Sequence, residues 1–363
     1  MLCLFLLLLA VRGREITFPI LSCSIDLDLE IPGKMANKCK SFMLKQHFQG
    51  KPKEDDFKML EEPVPTSLAD GEFLVEMICL SVDPYMRPYS RRMKEGDLMI
   101  GTGVGKVIMS KHNDFKEGSL VTGPFGWRTH VVSKGSGVLT LPDFGDLPAS
   151  YGIGALGMPG MTAYFGLLDI CEPRPNETVV VNAAAGAVGS LVGQIAKIKG
   201  CRTIGFAGTD KKVEYLKSIG FDEAYNYKTL TSLEETLKAA CPKGIDCFFD
   251  NVGGTFFDTV VGLLNHRGRV SLCGAISLYN IEGAPPKGPY VHMSAITKEL
   301  KIEGFIVTRF TTKYPTAFAD MKQWISEGQI KVTEHIVNGF ENMPKAFIGL
   351  FDGENIGKAV VNV

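Results

Sequence analysis

Two patterns of apolar and polar positions divide the chain. From Cys39 to about Gly154, short apolar and β-branched runs are broken by Gly and Pro. A run at 73–78 follows the turn Asp70-Gly71, and further runs stand at 101–109, 119–123, 127–132 and 138–141. Short strands bounded by turn residues predict an irregular β domain. Beyond Met158-Pro159-Gly160 the pattern changes, and apolar strands alternate with helical stretches. Strands are predicted over 178–181, 202–207, 245–249, 269–273 and 301–307, and helices over 187–199, 210–218, 232–240, 255–264 and 314–327. Gly200 and Gly220 stand just past two of these helices, where a left-handed residue ends a helix without a Cβ clash. Such alternation predicts a parallel, doubly wound sheet. The tail from Gly339 ends in the strand-like Ala359-Val360-Val361, which is assigned back to the first domain. The expected class is therefore α/β. A β domain takes residues 35–156 and 334–363, a doubly wound domain takes 157–333, and residues 1–34 form a leader outside the folded unit.

The length, 363 residues, suffices for two cores. A formal net charge of −1 leaves no basic surplus for a nucleic-acid footprint. The nine cysteines are scattered, without a C-x-x-C pair, which reads as reduced thiols and a cytoplasmic setting. Residues 2–11 are almost wholly apolar, but about 20 residues are needed to span a bilayer. Arg12 and Arg14 follow that run, whereas a secretory signal carries its basic residues before it. No stable membrane association is expected.

The strongest local signal is Val179 to Gly189, where an apolar strand enters a turn of small residues and then a helix. It reads A-x-G-x-x-G, with Ala184 in place of the first glycine of a dinucleotide fingerprint. Gly186 lets backbone approach a pyrophosphate, Gly189 lets the helix lie close to the strand, and the helix N-terminus offers unpaired N–H groups. Gly193 keeps the same helix face small. An NAD site expects an acid at the end of the second strand to hold the ribose 2′-hydroxyl. Gly208 stands there instead, followed by Asp210, Lys211 and Lys212, and the lysines favour a 2′-phosphate.

The six histidines and nine cysteines show neither a Gly-His-Glu run nor a four-cysteine cluster, the patterns of catalytic and structural zinc in alcohol dehydrogenases. Hydride addition to a conjugated carbonyl spreads charge onto oxygen, where hydrogen-bond donors can hold it. The composition thus points to alkene reduction without a metal.

Several stretches carry a resemblance: Val82-Asp83-Pro84-Tyr85-Met86-Arg87, residues 157–167 (GMPGMTAYFGL), residues 181–189, Asp250-Asn251-Val252-Gly253-Gly254, Cys273-Gly274-Ala275-Ile276-Ser277 and Gly339-Phe340-Glu341-Asn342-Met343-Pro344. Together, from about Lys40 onward, the chain resembles the zinc-free medium-chain dehydrogenase/reductases. The resemblance implies a GroES-like β domain, a Rossmann domain and an active site in the cleft between them. It implies NADPH held by Gly186, Ala187, Val188, Gly189, Lys212, Tyr227, Asn251, Cys273, Gly274, Ala275, Ile276, Ser277, Leu278, Tyr279, Phe305, Ile306, Val307 and Asn355. The implied substrates are 15-oxo-prostaglandins, 2-alkenals such as 4-hydroxynonenal and other enones, with oxidation of leukotriene allylic alcohols in some members. A homodimer built edge to edge through the Rossmann sheets is also implied.

Each residue has a plainer reading as well. Tyr279 ends the loop after the strand at Cys273, a strand edge where ligands bind, and is expected in the active site. Tyr85 is a catalytic candidate or a filler of the domain junction. Asn251 is a cofactor contact or ordinary turn chemistry, Tyr227 a stacking partner or an aromatic cap, and Cys273 a small buried apolar residue. Thr297 stands where the family often carries a tyrosine assigned to the substrate carbonyl, and Tyr290 is the nearby candidate to replace it. The competing functions are a quinone reductase of the same superfamily and a non-catalytic NADPH-binding protein of the lens-crystallin kind.

Overall fold

The computed structural model describes residues 38–284 and 286–363; the expected leader, 1–34, lies outside them. An antiparallel hairpin of β1 (Lys38–Leu44) and β2 (Phe57–Pro63) comes first. Next come β3 (Phe73–Ser81), the short helix α1 (Met86–Tyr89), β4 (Gly103–Ser110), β5 (Leu120–Gly123), β6 (His130–Ser133) and β7 (Leu139–Thr140). The chain then enters α2 (Met158–Phe165), β8 (Thr178–Val181), α3 (Gly189–Ile198), β9 (Arg202–Ala207), α4 (Asp210–Ser218), β10 (Glu223–Asn226), α5 (Leu233–Ala240), β11 (Ile245–Asp250), α6 (Gly254–Leu263) and β12 (Leu264–Leu272). It ends with α7 (Ile276–Tyr279), α8 (His292–Thr297), β13 (Lys301–Gly304), α9 (Tyr314–Ser326), β14 (Glu334–Asn338), α10 (Met343–Asp352) and β15 (Lys358–Asn362).

Strands β8 to β13 form a six-stranded parallel sheet in the order β10-β9-β8-β11-β12-β13. Its central strands are apolar on both sides because helices cover both faces. Val179, Val181, Cys247 and Phe249 pack into one core, while Val180, Phe248, Ile204 and Phe206 pack into the other. The order reverses between β8 and β11, and ligands bind beyond the carboxyl ends of strands at such a switch point. The other sheet runs β14-β15-β3-β4-β5-β7, with β6 paired to β3. The C-terminal strand β15 lies antiparallel to β3, so the end of the chain completes a sheet begun near its start. An aromatic core fills this half: Trp127 stacks on Phe57 at 5.3 Å and meets Phe347 edge-on at 5.6 Å.

In the parallel-sheet half three boundaries differ from the sequence expectation by more than one residue. Helix α3 begins at Gly189 rather than 187, because residues 182–188 are spent on the turn. Strand β12 begins at Leu264 rather than 269 and takes in the one residue expected to end the preceding helix. Strand β13 stops at Gly304, opposite Leu272, where its single partner strand ends. Phe305, Ile306 and Val307 are thereby released from the ladder. Helices α2 and α10, each with Pro in its first turn, were not anticipated, nor were β1, β2, β10 and β14.

Gly193 on α3 has no room for a side chain, since a Cβ there would stand 1.9 Å from Cζ of Phe221. Gly193→Val is expected to lower stability by about 3 kcal/mol or more, the upper range for overpacking a core. The thermal midpoint measured by circular dichroism checks this; an unchanged midpoint contradicts it.

Candidate functional site

A cleft of about 1070 Å³ runs along the carboxyl ends of the parallel strands and is walled on the other side by the β domain and β15. That exceeds the roughly 300–1,000 Å³ typical of small-molecule pockets. Its floor is the turn after β8. Ala183 takes a left-handed φ of 44°, a conformation costly for a residue with a Cβ. A Cβ on Gly189 would lie 2.6 Å from the Ala183 carbonyl oxygen, so only glycine lets α3 start so close to the strand. The tips of β8 and β11 are laced together. Asn182 Nδ2 donates to Asp250 Oδ1 at 2.6 Å, the Asn251 amide N–H donates to Asn182 Oδ1 at 2.7 Å, and Asn251 Nδ2 donates to the Asn182 carbonyl at 3.0 Å. Asp250 Oδ1 also accepts from the N–H groups of Val252 and Gly253. Burial raises the Asp250 carboxyl above the usual range, with these hydrogen bonds opposing it. Gly357 N–H donates to the Ala185 carbonyl at 2.7 Å, which fastens the segment before β15 to the turn. Asn355 beside it spends Nδ2 on the Gly357 carbonyl.

One end of the cleft is cationic. Lys212, in the first turn of α4, is half-buried, and its Nζ donates to the Gly353 carbonyl at 2.7 Å. Burial, and behind it the charge of Lys228, holds its ammonium below the usual lysine range. Neither Lys212 nor Lys228 pairs with a carboxylate among the described residues. Tyr227 and Lys228 both border Gly208, where a Cβ would meet the Tyr227 ring and Lys228 Cε at 3.3–3.4 Å. Asp210, which left the choice of ribose partner open, accepts from Asn226 Nδ2 at 2.8 Å and does not line the cleft. Lys211 is exposed and does not line it either. Two ammonium groups held together without a counter-charge fit a dianionic phosphate, and the glycine turn fits a pyrophosphate. The residues present therefore fit NADPH.

The other end carries hydroxyls and apolar walls. Tyr279 folds back over its own loop, and its phenol oxygen accepts from the Ala275 N–H at 3.2 Å. With that lone pair engaged, the phenol proton is free to point into the cleft. Tyr85, half-buried, lines the opposite wall with Asp83 and Lys358. Lys358 Nζ donates to the Val82 carbonyl at 2.9 Å and stands 3.2 Å from Asp83 Oδ1, which pins the loop that presents Tyr85. Burial pushes both phenols above the ordinary tyrosine value; the Asp83 charge adds to this at Tyr85. Both are neutral donors at any working pH. Burial, with Asp250 behind it, pushes the Cys273 thiol up to about 12, in keeping with a packing role.

Of the residues expected from sequence, Tyr85, Gly186, Ala187, Val188, Gly189, Lys212, Tyr227, Asn251, Cys273, Gly274, Ile276, Ser277, Tyr279, Phe305, Ile306, Val307 and Asn355 all line this one cleft. Ala275 and Leu278 do not: Ala275 serves through its N–H to Tyr279, and Leu278 turns away on the short helix α7. Thr297 is also outside; it is exposed on α8 and its hydroxyl donates to the Met293 carbonyl. Tyr290, 90% exposed, does not replace it in the cleft. Sequence reasoning missed Lys228, Tyr89, Asp83 and Lys358. Lys228 was findable, since it follows Tyr227 just past the strand paired with β9. Nothing local marks Lys358, which reaches the cleft only because β15 returns to β3.

The family described as the N-terminal domain of oxidoreductase matches residues 40–141, and the family described as zinc-binding dehydrogenase matches residues 187–326. Among the described residues no group of three or more His, Cys, Asp or Glu side chains is placed to hold a metal ion, so the donor set does not fit the zinc of the second description. The chain is 50% identical to prostaglandin reductase 1 of Rattus norvegicus over 327 residues, covering 89% of this chain and 99% of that one. It is 40% identical to the NADP(+)-dependent 2-alkenal reductase of Nicotiana tabacum, covering 89% and 97%. The crystal structure of CurA from Vibrio vulnificus in complex with NADPH superposes with a TM-score of 0.83 at 41% identity, covering 89% and 99%.

Proposed function

Because the chain belongs to the prostaglandin reductase family of the medium-chain dehydrogenases/reductases, we propose that it reduces the carbon–carbon double bond of α,β-unsaturated ketones and aldehydes with NADPH as hydride donor. The observation that carries this reading is the cleft itself, which has a paired-lysine phosphate end, a glycine turn and a tyrosine end. The substrates we infer are 15-oxo-prostaglandins and 2-alkenals such as 4-hydroxynonenal. Lys212, Lys228 and Tyr227 would hold the 2′-phosphate, the turn at Gly186–Gly189 the pyrophosphate, and Asn251 and Asn355 the remaining length of the cofactor. The Phe305–Val307 segment, released from β13, walls the reacting end.

In the reaction the β-carbon of the enone gains hydride and the carbonyl oxygen becomes an enolate. Tyr279 and Tyr85 are the proposed donors to that oxygen, and their neutral phenols supply hydrogen bonds aimed where charge develops. Water returns a proton to the α-carbon. No side chain acts as nucleophile, so the protein contributes positioning and charge stabilisation. The full chain, supplied with NADPH or NADH, should convert 15-oxo-prostaglandin or 4-hydroxynonenal to a product heavier by two hydrogens, faster with NADPH. Cofactor binding with no turnover of either enone, followed by turnover of a quinone, would replace this reading with the quinone-reductase one.

We further infer a homodimer and a cytoplasmic setting. Among the described residues strand β13 is an edge of the parallel sheet, and α8, just before it in the chain, exposes Met293 (67%) and Ile296 (70%). An open edge flanked by exposed apolar side chains supports pairing with a second copy. Light scattering after size exclusion is expected to give twice the chain mass, and Ile296→Asp to shift it toward the monomer; a monomer in the unaltered chain refutes the dimer. The seven described cysteines are unpaired, which supports a reducing compartment. No helix among the described residues is long and apolar enough to cross a membrane.

A further inference from the structure

Tyr89 closes helix α1, lines the cleft and remains 44% exposed. Its ring meets Tyr85 edge to face, with centroids 5.5 Å apart and planes at 77°. The opposite lip carries Tyr279. The spacing of the two lips is fixed by Arg91, two residues after Tyr89, whose guanidinium donates to the Tyr279 and Ile281 carbonyls at 3.3 Å each. The reaction assigned above does not use Tyr89.

We propose that Tyr89 determines substrate specificity: facing Tyr279 across the mouth of the cleft, it forms a slot that receives a flat aryl group conjugated to the reacting double bond. The inference rests on the enone-reductase reading of this cleft. An aromatic ring prefers edge-to-face or offset partners at the spacing Tyr85 and Tyr89 already display. A flat aryl enone has few rotors to freeze, whereas an alkyl chain loses freedom at each bond it orders. The Arg91 bonds tie its two sides together before substrate arrives, so it favours the rigid ligand.

The test compares 4-phenylbut-3-en-2-one with non-3-en-2-one, using the full chain with saturating NADPH. The unaltered chain is expected to favour the aryl enone in kcat/KM. Tyr89→Ala is expected to lower the aryl-to-alkyl ratio of kcat/KM by about tenfold, the size of one aromatic pair, through KM of the aryl enone rather than kcat. Tyr89→Phe should keep the ratio, since the ring and not the hydroxyl carries it. Equal losses on both enones in Tyr89→Ala, or an unchanged ratio, overturn the specificity role while leaving enone reduction standing. Failure of the unaltered chain to reduce either enone overturns both. A thermal midpoint within error of the unaltered chain separates a specific loss from misfolding.

Discussion

Replacing Lys212 by alanine is expected to reduce the preference for NADPH over NADH by about 50-fold, mostly through KM for NADPH. A charge-assisted hydrogen bond contributes about 1.5–3 kcal/mol, and 1.4 kcal/mol is a factor of ten. Lys228 remains in the variant and keeps part of the attraction, so the effect falls inside that range rather than at its limit. The double variant with Lys228→Ala should lose more than either single one. Lys212 has a second bond, from Nζ to the Gly353 carbonyl at the end of α10. If the lysine served only that bond, NADH would weaken as much as NADPH and the preference would stay. Equal losses on the two cofactors would therefore remove the phosphate role. The pH dependence carries the same sign. The Lys212 ammonium is held below the ordinary lysine value by burial and by Lys228. Its charge is present at neutral pH and is lost as pH rises through that lowered value. KM for NADPH should climb on the alkaline side before an ordinary lysine would titrate, and KM for NADH should not follow it.

Much of this site is legible in the sequence because its parts are local. The turn after β8 reads directly from Ala184, Gly186 and Gly189, since a strand, a small-residue turn and a helix are contiguous in the chain. The class of the parallel sheet follows from period and punctuation, and the predicted bounds of β8, β9 and α4 agree with the structure residue for residue. What was not legible depends on tertiary return. Lys358 reaches Asp83 only because β15 pairs with β3, some 280 residues apart in the chain. The release of Phe305–Val307 depends on where the partner strand ends, although the apolar run continues without a break. Thr297, where the family often carries a tyrosine, lies outside this cleft, and Tyr89, which no motif marks, lies inside it. Helices α1 and α7 have four residues each, too few for any periodicity to mark, and bonds from Arg91 and Ala275 to Tyr279 tie the second of them down.

Tyr279→Phe is expected to lower kcat for an enone by about 100-fold, the lower end of what removing one oxyanion donor costs. The phenol oxygen accepts from the Ala275 N–H, which leaves its proton free to be donated into the cleft. Phenylalanine keeps the ring and loses that proton, so the NADPH dissociation constant should move by less than about threefold while kcat falls. Tyr85→Phe should cost less, because Tyr85 approaches from the β domain on a loop held by Lys358 through the Val82 carbonyl, whereas Tyr279 is fixed within the nucleotide-binding wall. The two losses should not add, since both donors serve one oxygen. The pH profile discriminates further. Burial raises both phenols, so neither loses its proton below its ordinary value and the donor function is complete on the acid side. With NADPH saturating, kcat should be level from about pH 6 to about pH 9, where a tyrosine of ordinary pKa near 10 would begin to titrate at the upper edge. Retention of more than a third of kcat in Tyr279→Phe, with a level profile, would move the donor role to Tyr85. A fall in kcat below pH 9 in the unaltered chain would instead require a titrating acid, and neither phenol could be it.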